Sequence, residues 1–326
     1  MKISIVIPVY NVEAYIADCL QSVFAQTFQD PMECLLVDDC GTDRSMQIVQ
    51  TMLADYHGPI EFHILHHEQN RGLSAARNTG MAAATGDYVY FLDSDDYITS
   101  DCIEQLVKPL SQSQLKYDVV VGNYDQLGEH QQPKRPLVRE FIFRPSVFHS
   151  YLVWKWYTMA WNKLYRLGYI REKKLQFKEG MIHEDELWSF QVACTASTIY
   201  VIPVVTYFYR LRGDSIITGT SLQKKMDAMT VVLQEIWNYS CEIRLVHSPE
   251  LYEKIQSLSI NNLKMLRGDA SLFREQYHRQ RKIIRYGWRE VFMYKELSVY
   301  RLMRDIHCLM PEWLGCRWLA FCLKKR

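Results

Sequence analysis

One stretch decides the predicted fold, and it reads Gly86-Asp87-Tyr88-Val89-Tyr90-Phe91-Leu92-Asp93-Ser94-Asp95-Asp96-Tyr97-Ile98. Its apolar and aromatic run, 88–92, is typical of a parallel strand that is buried on both faces. The run ends in three aspartates, and because residues two apart in extended chain point to the same side, Asp93 and Asp95 are expected to converge. Such hard oxygen ligands suit Mg²⁺ or Mn²⁺ at the carboxyl end of a strand. An acidic turn that caps the next helix is the alternative.

The residues around this stretch repeat a strand–helix unit. Short apolar runs predict the strands, and apolar residues at helical spacing predict the helices between them. The predicted strands are 3–8, 34–37, 60–65, 88–92 and 117–122. This order is typical of a parallel sheet with helices on both faces. No Gly-x-Gly-x-x-Gly follows the first strand and no Gly-x-x-x-x-Gly-Lys-Ser/Thr occurs, so metal and side chains would have to hold any phosphate.

Composition narrows the class of protein. A chain of 326 residues suits one large α/β domain with an appendage. The net charge of +1 argues against general binding of nucleic acid. The nine cysteines contain no Cys-x-x-Cys pair, which predicts reduced thiols in a cytoplasmic protein. We expect neither a secretory signal peptide nor a transmembrane helix.

Three later segments carry candidate functional groups. An aromatic segment, 154–165, surrounds Asn162 and Lys163, and it is either packed core or a platform for sugar rings. Residues 184–186 are three acids at the start of an apolar helical run, where the helix dipole favours negative charge. From about residue 221 the pattern is helical, and the tail 311–326 is apolar, basic and rich in tryptophan. This tail suits an anionic membrane surface, or else a terminal helix that docks on the domain.

Five motifs in this order resemble the inverting family 2 glycosyltransferases of the GT-A fold, of the type that builds bacterial cell-surface polysaccharides. The motifs are Ser4–Asn11, Val37–Asp43, Asn70–Asn78, Asp93–Asp96 and Glu184–Asp185. The resemblance implies an α/β fold with a mostly parallel sheet and helices on both faces, followed by a C-terminal helical extension. The predicted domains are therefore 1–215 for the GT-A domain and 216–326 for the basic extension, in which no motif matches.

The resemblance also implies a role for individual residues. The residues assigned to the nucleotide sugar are Pro8, Val9, Tyr10, Asn11, Asp39, Arg77, Asp93, Ser94 and Arg212. Among them, Asp39 is expected to accept a hydrogen bond from uracil N3–H. Asp95 is the expected direct ligand of Mg²⁺ or Mn²⁺, with Asp93 as the second metal residue, and Asp185 is the expected general base, kept ionised by the helix dipole. The acceptor is assigned to Trp161, Asn162, Lys163 and Glu184.

One departure from the family pattern concerns the turn after the second strand. The family usually has Gly-Ser after the two aspartates, whereas this chain has Cys40-Gly41. The tight turn is expected to survive with the glycine one place later.

The implied reaction transfers a sugar from a nucleotide sugar, a UDP-sugar by the assignment of Asp39, to a hydroxyl of a glycan or lipid-linked saccharide. The expected location is the cytoplasm, with peripheral contact at the inner face of the membrane through the tail. Two other functions compete. A Mg²⁺-dependent nucleotidyltransferase would usually carry a basic, glycine-rich loop after the first strand, and none is present. A non-catalytic nucleotide-binding scaffold of a polysaccharide assembly complex is the third.

Overall fold

The computed structural model describes residues 1–128, 131, 133–211, 221–246, 248–284, 286, 291–292 and 299–324. The chain divides into two compact units. The first unit comprises Met1–Gly180 with Glu184–Thr218, and the second comprises Met181–His183 with Gly219–Arg326. The predicted boundary between residues 215 and 216 lies outside the described residues, so the proposed pair of domains stays a prediction.

Within the described residues, the first unit is built on one nine-stranded sheet. The strands are β1 (Ile3–Val9), β2 (Met32–Asp38), β3 (Glu61–His66), β4 (Tyr88–Phe91), β5 (Tyr97–Ile98), β6 (Val119–Leu127), β7 (Glu140–Phe143), β8 (Lys163–Arg166) and β9 (Thr198–Arg210). Their order is β3-β2-β1-β4-β8-β6-β9-β5, and β7 pairs with β9. The longer pairings, β1 with β2, β2 with β3 and β6 with β9, are parallel. The predicted fold class, a mostly parallel α/β sheet, is confirmed.

Helices connect these strands. They are α1 (Ile16–Phe24), α2 (Ser45–Ala54), α3 (Leu73–Ala83), α4 (Cys102–Ser111), α5 (Ser146–Leu152), α6 (Leu167–Lys173) and α7 (Glu184–Thr195). The small residues of α3 let it approach the sheet closely, because a Cβ atom added to Gly80 would lie 2.4 Å from Val6 Cγ1. Since β1 is buried along its whole length, the first strand and α3 form the centre of this unit's core.

Four parallel strands end at one edge of the sheet. β3, β2, β1 and β4 are neighbours in that order and all run in the same direction. Their carboxyl ends therefore bring together the residues that follow each strand, which is where ligands of open α/β sheets bind. This edge contains the candidate site.

Strand β9 continues through Pro203 as one strand of 13 residues. Its register against β6 shifts between Val121 and Asn123, whose partners are Val201 and Val205. Pro203 therefore lies in a bulge, where its missing N–H interrupts no ladder bond.

The second unit is helical, as predicted. Its helices are α8 (Leu222–Glu242), α9 (Pro249–Lys264), α10 (Ala270–Ile283), α11 (Val299–Asp305), a 3₁₀ turn (Ile306–Leu309) and α12 (Glu312–Lys324). Side chains of Ser221, Ser248 and Asp269 accept hydrogen bonds from the first backbone N–H groups of α8, α9 and α10. One apolar cluster includes residues of α8, α9, α10 and α12. None of the described helices combines the length and hydropathy that crossing a membrane requires.

Candidate active site

The three aspartates after β4 form one acidic cluster. A carboxylate oxygen from each of Asp93, Asp95 and Asp96 lies within 4.8 Å of the others. Asp96 is buried, and it accepts hydrogen bonds from the Tyr207 hydroxyl at 2.6 Å and from the Arg210 backbone N–H at 2.8 Å. Burial, together with the charges of the other two aspartates, raises the pKa of Asp96 well above its usual value. Asp96 therefore ties the cluster to β9, while Asp93 and Asp95 stay partly exposed.

A buried arginine joins this cluster to the acids at the start of α7. One guanidinium nitrogen of Arg77, Nη2, lies 2.8 Å from Asp93 Oδ1. The other, Nη1, lies 2.8 Å from Glu184 Oε1 and 3.1 Å from Asp185 Oδ1. The side chain is only 1% exposed, and its Cζ lies 5.2 Å from the centre of the Phe177 ring. One positive charge thus faces three carboxylates, which leaves the group with negative charge for a cation to balance.

Asp185 is a weaker acid here than in water. Burial raises its pKa to about 7, the positive charge of Arg77 opposes that rise, and the charges of Glu184 and Asp93 reinforce it. About a quarter of the side chain, 23%, remains accessible to solvent. Burial thus works against the ionised form, which the position at the start of a helix was expected to favour. A carboxylate of this kind can exchange a proton near neutral pH.

The carboxylate of Asp39 is fully occupied by the loop that precedes α3. Its oxygens accept hydrogen bonds from the backbone N–H groups of Arg71 at 2.9 Å and Gly72 at 2.8 Å, and from the Asn70 amide at 3.0 Å. His67 Nδ1 lies 2.6 Å from the same carboxylate. A carboxylate has about four acceptor positions, so the predicted bond from uracil N3–H requires one of these partners to leave.

The residues after β1 and β2 form a tight double turn. Tyr10 is 46% exposed, whereas Pro8 and Val9 are buried. Cys40, where the family usually has glycine, adopts the left-handed backbone conformation with φ 59°. A Cβ atom on Gly41 would lie 3.1 Å from Asn11 N, so this position is short of space. The glycine at position 41 therefore allows the turn after β2 to approach the backbone of Asn11 closely. The tight turn is kept, as predicted.

Asn11 and Ser94, which were also assigned to the nucleotide sugar, have defined places. Asn11 has φ 49°, and its Oδ1 accepts a hydrogen bond from Thr42 N at 2.8 Å. Asn11 thereby links the turn after β1 with the turn after β2. Ser94 is buried between the two partly exposed aspartates, and its assignment to the nucleotide sugar stays a prediction.

The aromatic segment belongs to the core of the first unit. Trp161 stacks on Tyr207 with ring centres 4.3 Å apart and an angle of 8°. Asn162 is fully buried and accepts a hydrogen bond from the Thr206 hydroxyl at 2.8 Å. Lys163 is fully buried too, donates to the Met159 carbonyl and lies 4.3 Å from the Tyr157 ring centre.

This placement corrects the assignment of Trp161, Asn162 and Lys163 to the acceptor. Their side chains lie in the interior and already have partners, so an acceptor cannot reach them. The fourth acceptor residue, Glu184, is almost buried and is held by Arg77. Burial lowers the pKa of Lys163 to about 7, an effect that the charge of Asp185 opposes. Lys163 therefore belongs to the electrostatic surroundings of the proposed base.

One assigned residue, Arg212, lies outside the described residues. The described arginine nearest to it in sequence is Arg210, at the end of β9. Its Nη2 lies 2.5 Å from Asp18 Oδ2, and its Cζ lies 5.2 Å from the Tyr97 ring centre and 5.5 Å from that of Tyr15. This places a cation on the loop edge beside the acidic cluster, next to Asp96, which its backbone contacts.

Sequence reasoning missed three residues that build the site. His67 directly follows β3 and bonds Asp39, Tyr207 bonds Asp96, and Phe177 packs under Arg77. For His67 a signal existed, because it follows a predicted strand at the same sheet edge as the aspartates. Tyr207 and Phe177 carry no such signal, since each is one aromatic residue among many.

A comparison with known protein families decides the identity of the chain. The family model described as "Glycosyl transferase family 2" matches residues 4–175. The chain belongs to glycosyl transferase family 2. The matched part includes the acidic cluster and Arg77, whereas Asp185 and β9 follow it in sequence.

Two bacterial glycosyltransferases of this kind are similar in sequence. Glycosyltransferase GlyA of Streptococcus pneumoniae is 32% identical over 250 residues, which are 72% of this chain and 34% of GlyA. Putative glycosyltransferase EpsH of Bacillus subtilis is 31% identical over 252 residues, which are 72% of this chain and 67% of EpsH. The chain thus matches about a third of the length of GlyA.

Solved structures confirm the predicted GT-A fold. Crystal structures of residues 1–349 of Staphylococcus aureus TarS superpose with a TM-score of 0.72 at 20% identity, covering 100% of this chain and 91% of TarS. The same TarS fragment in complex with UDP-GlcNAc gives 0.66 at 18% identity, with the same coverage. The mannosyltransferase PcManGT from Pyrobaculum calidifontis, in complex with GDP-Man and Mn²⁺, gives 0.56 at 16% identity and covers 99% of this chain and 84% of its own. The predicted fold of this chain, a mostly parallel sheet followed by C-terminal helices, is therefore confirmed.

Proposed function

We propose that this chain is an inverting glycosyltransferase that moves a sugar from a UDP-sugar to a hydroxyl of a glycan or lipid-linked saccharide during polysaccharide biosynthesis. One observation carries the proposal. The buried guanidinium of Arg77 contacts Asp93 of the acidic cluster and Asp185 at the start of α7. Arg77 thereby links Asp93, which we assign to the donor diphosphate, to Asp185, which we assign to the acceptor hydroxyl.

The acidic cluster fits a divalent cation. Its three carboxylate oxygens lie within 4.8 Å of one another, and hard oxygen ligands suit Mg²⁺ or Mn²⁺. Asp95 and Asp93 are partly exposed and would hold the ion, whereas both oxygens of Asp96 already accept hydrogen bonds. The ion, when bound, would stabilise the negative charge of the departing diphosphate. The similar fold of PcManGT, whose structure contains Mn²⁺, supports this assignment.

Asp185 would act as the general base. A sugar hydroxyl ionises far above neutral pH, so its proton must be accepted as the new bond forms. The raised pKa of Asp185, about 7, suits proton transfer near neutral pH better than the usual value of an aspartate. Attack from the face opposite the leaving diphosphate inverts the anomeric centre. One base suffices for this step, whereas most glycosidases use two carboxyl groups that flank the bond.

The nucleotide would lie at the carboxyl ends of β1 and β2. There the exposed Tyr10 ring offers a stacking surface for the base. We assign uracil to the neighbourhood of Asp39, and Asn70 is the partner that could leave, because it is an exposed side chain rather than backbone. The structure of TarS with UDP-GlcNAc supports a uridine donor, while PcManGT with GDP-Man shows that the fold alone does not fix the base.

The deciding experiment is a thermal-shift panel of UDP, UDP-sugars and GDP-mannose, each with Mn²⁺ and with a chelator. A ligand at about 100 times its Kd adds roughly 2.7 kcal/mol of stability. We expect Mn²⁺-dependent stabilisation by UDP and by one UDP-sugar, and its loss in Asp95→Ala. The control Asp55→Ala removes an exposed carboxylate just after α2 and should respond like the wild type.

The other outcomes have different meanings. A response to GDP-mannose alone would overturn the assignment of uracil to Asp39 but keep the transferase. No response to any nucleotide would overturn the donor site, and with it both the transferase and the nucleotide-binding function of the scaffold.

A further inference from the structure

Helix α12 has two contrasting faces. One face is buried in the apolar cluster of the second unit, and its members are Gly315, Cys316, Leu319 and Leu323. The opposite face, which we call the outer face, consists of Trp313, Leu314, Arg317, Trp318, Phe321 and Lys324. At about 100° per residue these six positions occupy a sector of roughly 140°. The helix therefore has apolar residues on both faces, whereas an ordinary amphipathic helix has them only on the buried face.

The outer face exposes an unusual amount of apolar surface. Trp313 is 63% exposed and Phe321 is 51% exposed, and Leu314 is exposed between them. The patch extends onto α11, because Trp318 Nε1 donates a hydrogen bond to the Met303 carbonyl at 2.6 Å and Met303 is itself exposed. A helix that faces water normally carries polar residues outward. Contiguous exposed aromatic and aliphatic residues indicate that something other than water contacts this face.

The charges of the outer face all have one sign. Arg317 and Lys324 are exposed, and the Arg317 guanidinium lies 5.9 Å from the Trp313 ring centre. The acid of this helix, Glu312, lies off the outer face and bonds His278. The described part of the face therefore has cationic groups beside aromatic rings and no carboxylate. Its occupant must be apolar and anionic.

We propose that the outer face of α12 binds the interface of an anionic lipid bilayer. Trp313, Leu314 and Phe321 would enter the boundary between headgroups and acyl chains, and Arg317 and Lys324 would contact lipid phosphates. Aromatic residues beside lysine and arginine are the composition of helices that lie in such an interface. A second copy of the chain fits less well, because a two-fold contact would bring the same cations of both copies together. This proposal does not rest on the transferase activity.

Binding of the full-length chain to vesicles tests the proposal. We expect co-sedimentation with vesicles that contain phosphatidylglycerol, weaker binding to phosphatidylcholine alone, and release at high salt. Trp313→Ser combined with Phe321→Ser should reduce the partition coefficient about tenfold or more. Arg317→Glu combined with Lys324→Glu should weaken binding to anionic vesicles and leave binding to neutral vesicles unchanged.

Controls separate lipid binding from folding and from self-association. Phe143→Ser removes an equally exposed aromatic side chain from β7 in the first unit and should bind like the wild type. All variants should keep the wild-type melting temperature, because the changed side chains lie outside the core. The proposal fails if the wild type stays in the supernatant with anionic vesicles. It also fails if the wild type is a dimer in solution that the Trp313 and Phe321 changes dissociate without any effect on vesicle binding.

Discussion

A single guanidinium connects the acids of the proposed active site. The buried Arg77 contacts carboxylates from two separate parts of the chain, Asp93 and the pair Glu184 and Asp185. Burying charges is costly unless they are paired and hydrogen-bonded, and here both terminal nitrogens have carboxylate partners. If these acids act as proposed, the network holds them in position before any ligand arrives, and such pre-organisation favours catalysis.

Asp185→Asn tests the proposed base. The amide keeps the size of the side chain and removes the acceptor of the proton, so transfer should fall by roughly 100-fold or more. Donor binding, read from the thermal shift with UDP and Mn²⁺, should remain. Glu186→Gln, in the same helical turn, is the matched control and should keep most of the activity.

The pH profile gives a second measure of the same residue. Because burial raises the pKa of Asp185 to about 7 and a base acts only when deprotonated, kcat/KM should increase with pH through about 7 and level off above it. Normal transfer by Asp185→Asn would contradict the assignment and make Glu184 or Glu186 the next candidates.

Candidate site residues could be predicted from the sequence where their position follows from the end of a strand or the start of a helix. Asp93 and Asp95 follow a recognisable strand, and Asp185 lies in the first turn of a recognisable helix, so the sequence predicts their positions at the end of a strand and at the start of a helix. Trp161 and Lys163 were not predictable in this way, because the same aromatic and polar composition suits a sugar platform and a packed core. Which of the two forms depends on the neighbouring strand β9, whose Tyr207 stacks on Trp161 and whose pairing is not local in sequence.

At the scale of elements, the packing of helix α3 against strand β1 depends on a close approach at Gly80, which has no side chain. A Cβ atom at Gly80 would lie 2.4 Å from Val6 Cγ1 and 3.3 Å from Val37 Cγ2, both on rigid, buried, β-branched side chains. Overpacking of a core costs about 1–3 kcal/mol, whereas the higher helix propensity of alanine returns about 1 kcal/mol. We therefore expect Gly80→Ala to lower the free energy of unfolding by about 1 kcal/mol.

Urea denaturation measures this change. Gly168→Ala is the matched control, because Gly168 is also helical and its added Cβ would meet only one side-chain atom, Nη1 of Arg166, at 3.3 Å. That control should be as stable as the wild type or up to about 1 kcal/mol more stable. Equal stabilisation by both substitutions would show that α3 can move away from the sheet.

The elements differ in how well the sequence predicts them. Strands β1, β2 and β4 are largely apolar in sequence and pair in parallel with one another, and the predicted ranges differ from the observed ones by at most two residues at either end. The short strands β5, β7 and β8 have two to four residues each and pair antiparallel with distant strands. So few residues carry no periodicity, and their partners become evident only once the sheet has formed.

At the scale of the whole molecule, the family match and the folded unit end at different places. The matched part ends at residue 175, but β9, at Thr198–Arg210, lies between β6 and β5 and also pairs with β7. Helix α7 with the proposed base likewise follows residue 175. The matched sequence therefore lacks the strand that completes the sheet and the acids of α7 that contact Arg77.

Two fragments of the chain test where the folded unit ends. Fragment 1–175 would leave β6 without its longest partner and would expose β5 and β7 unpaired, so we expect it to aggregate or to unfold without cooperativity. Fragment 1–215, the predicted domain, contains all nine described strands and Asp185. We expect it to be monomeric by size exclusion, to unfold cooperatively in urea and to show the Mn²⁺-dependent thermal shift with UDP.

If 1–215 fails to fold while the full chain folds, the two units form one cooperative structure and the predicted domain boundary is wrong. If 1–175 folds and binds UDP, β9 is dispensable for the sheet, and the role given to its contacts with Asp96 and Trp161 is wrong as well.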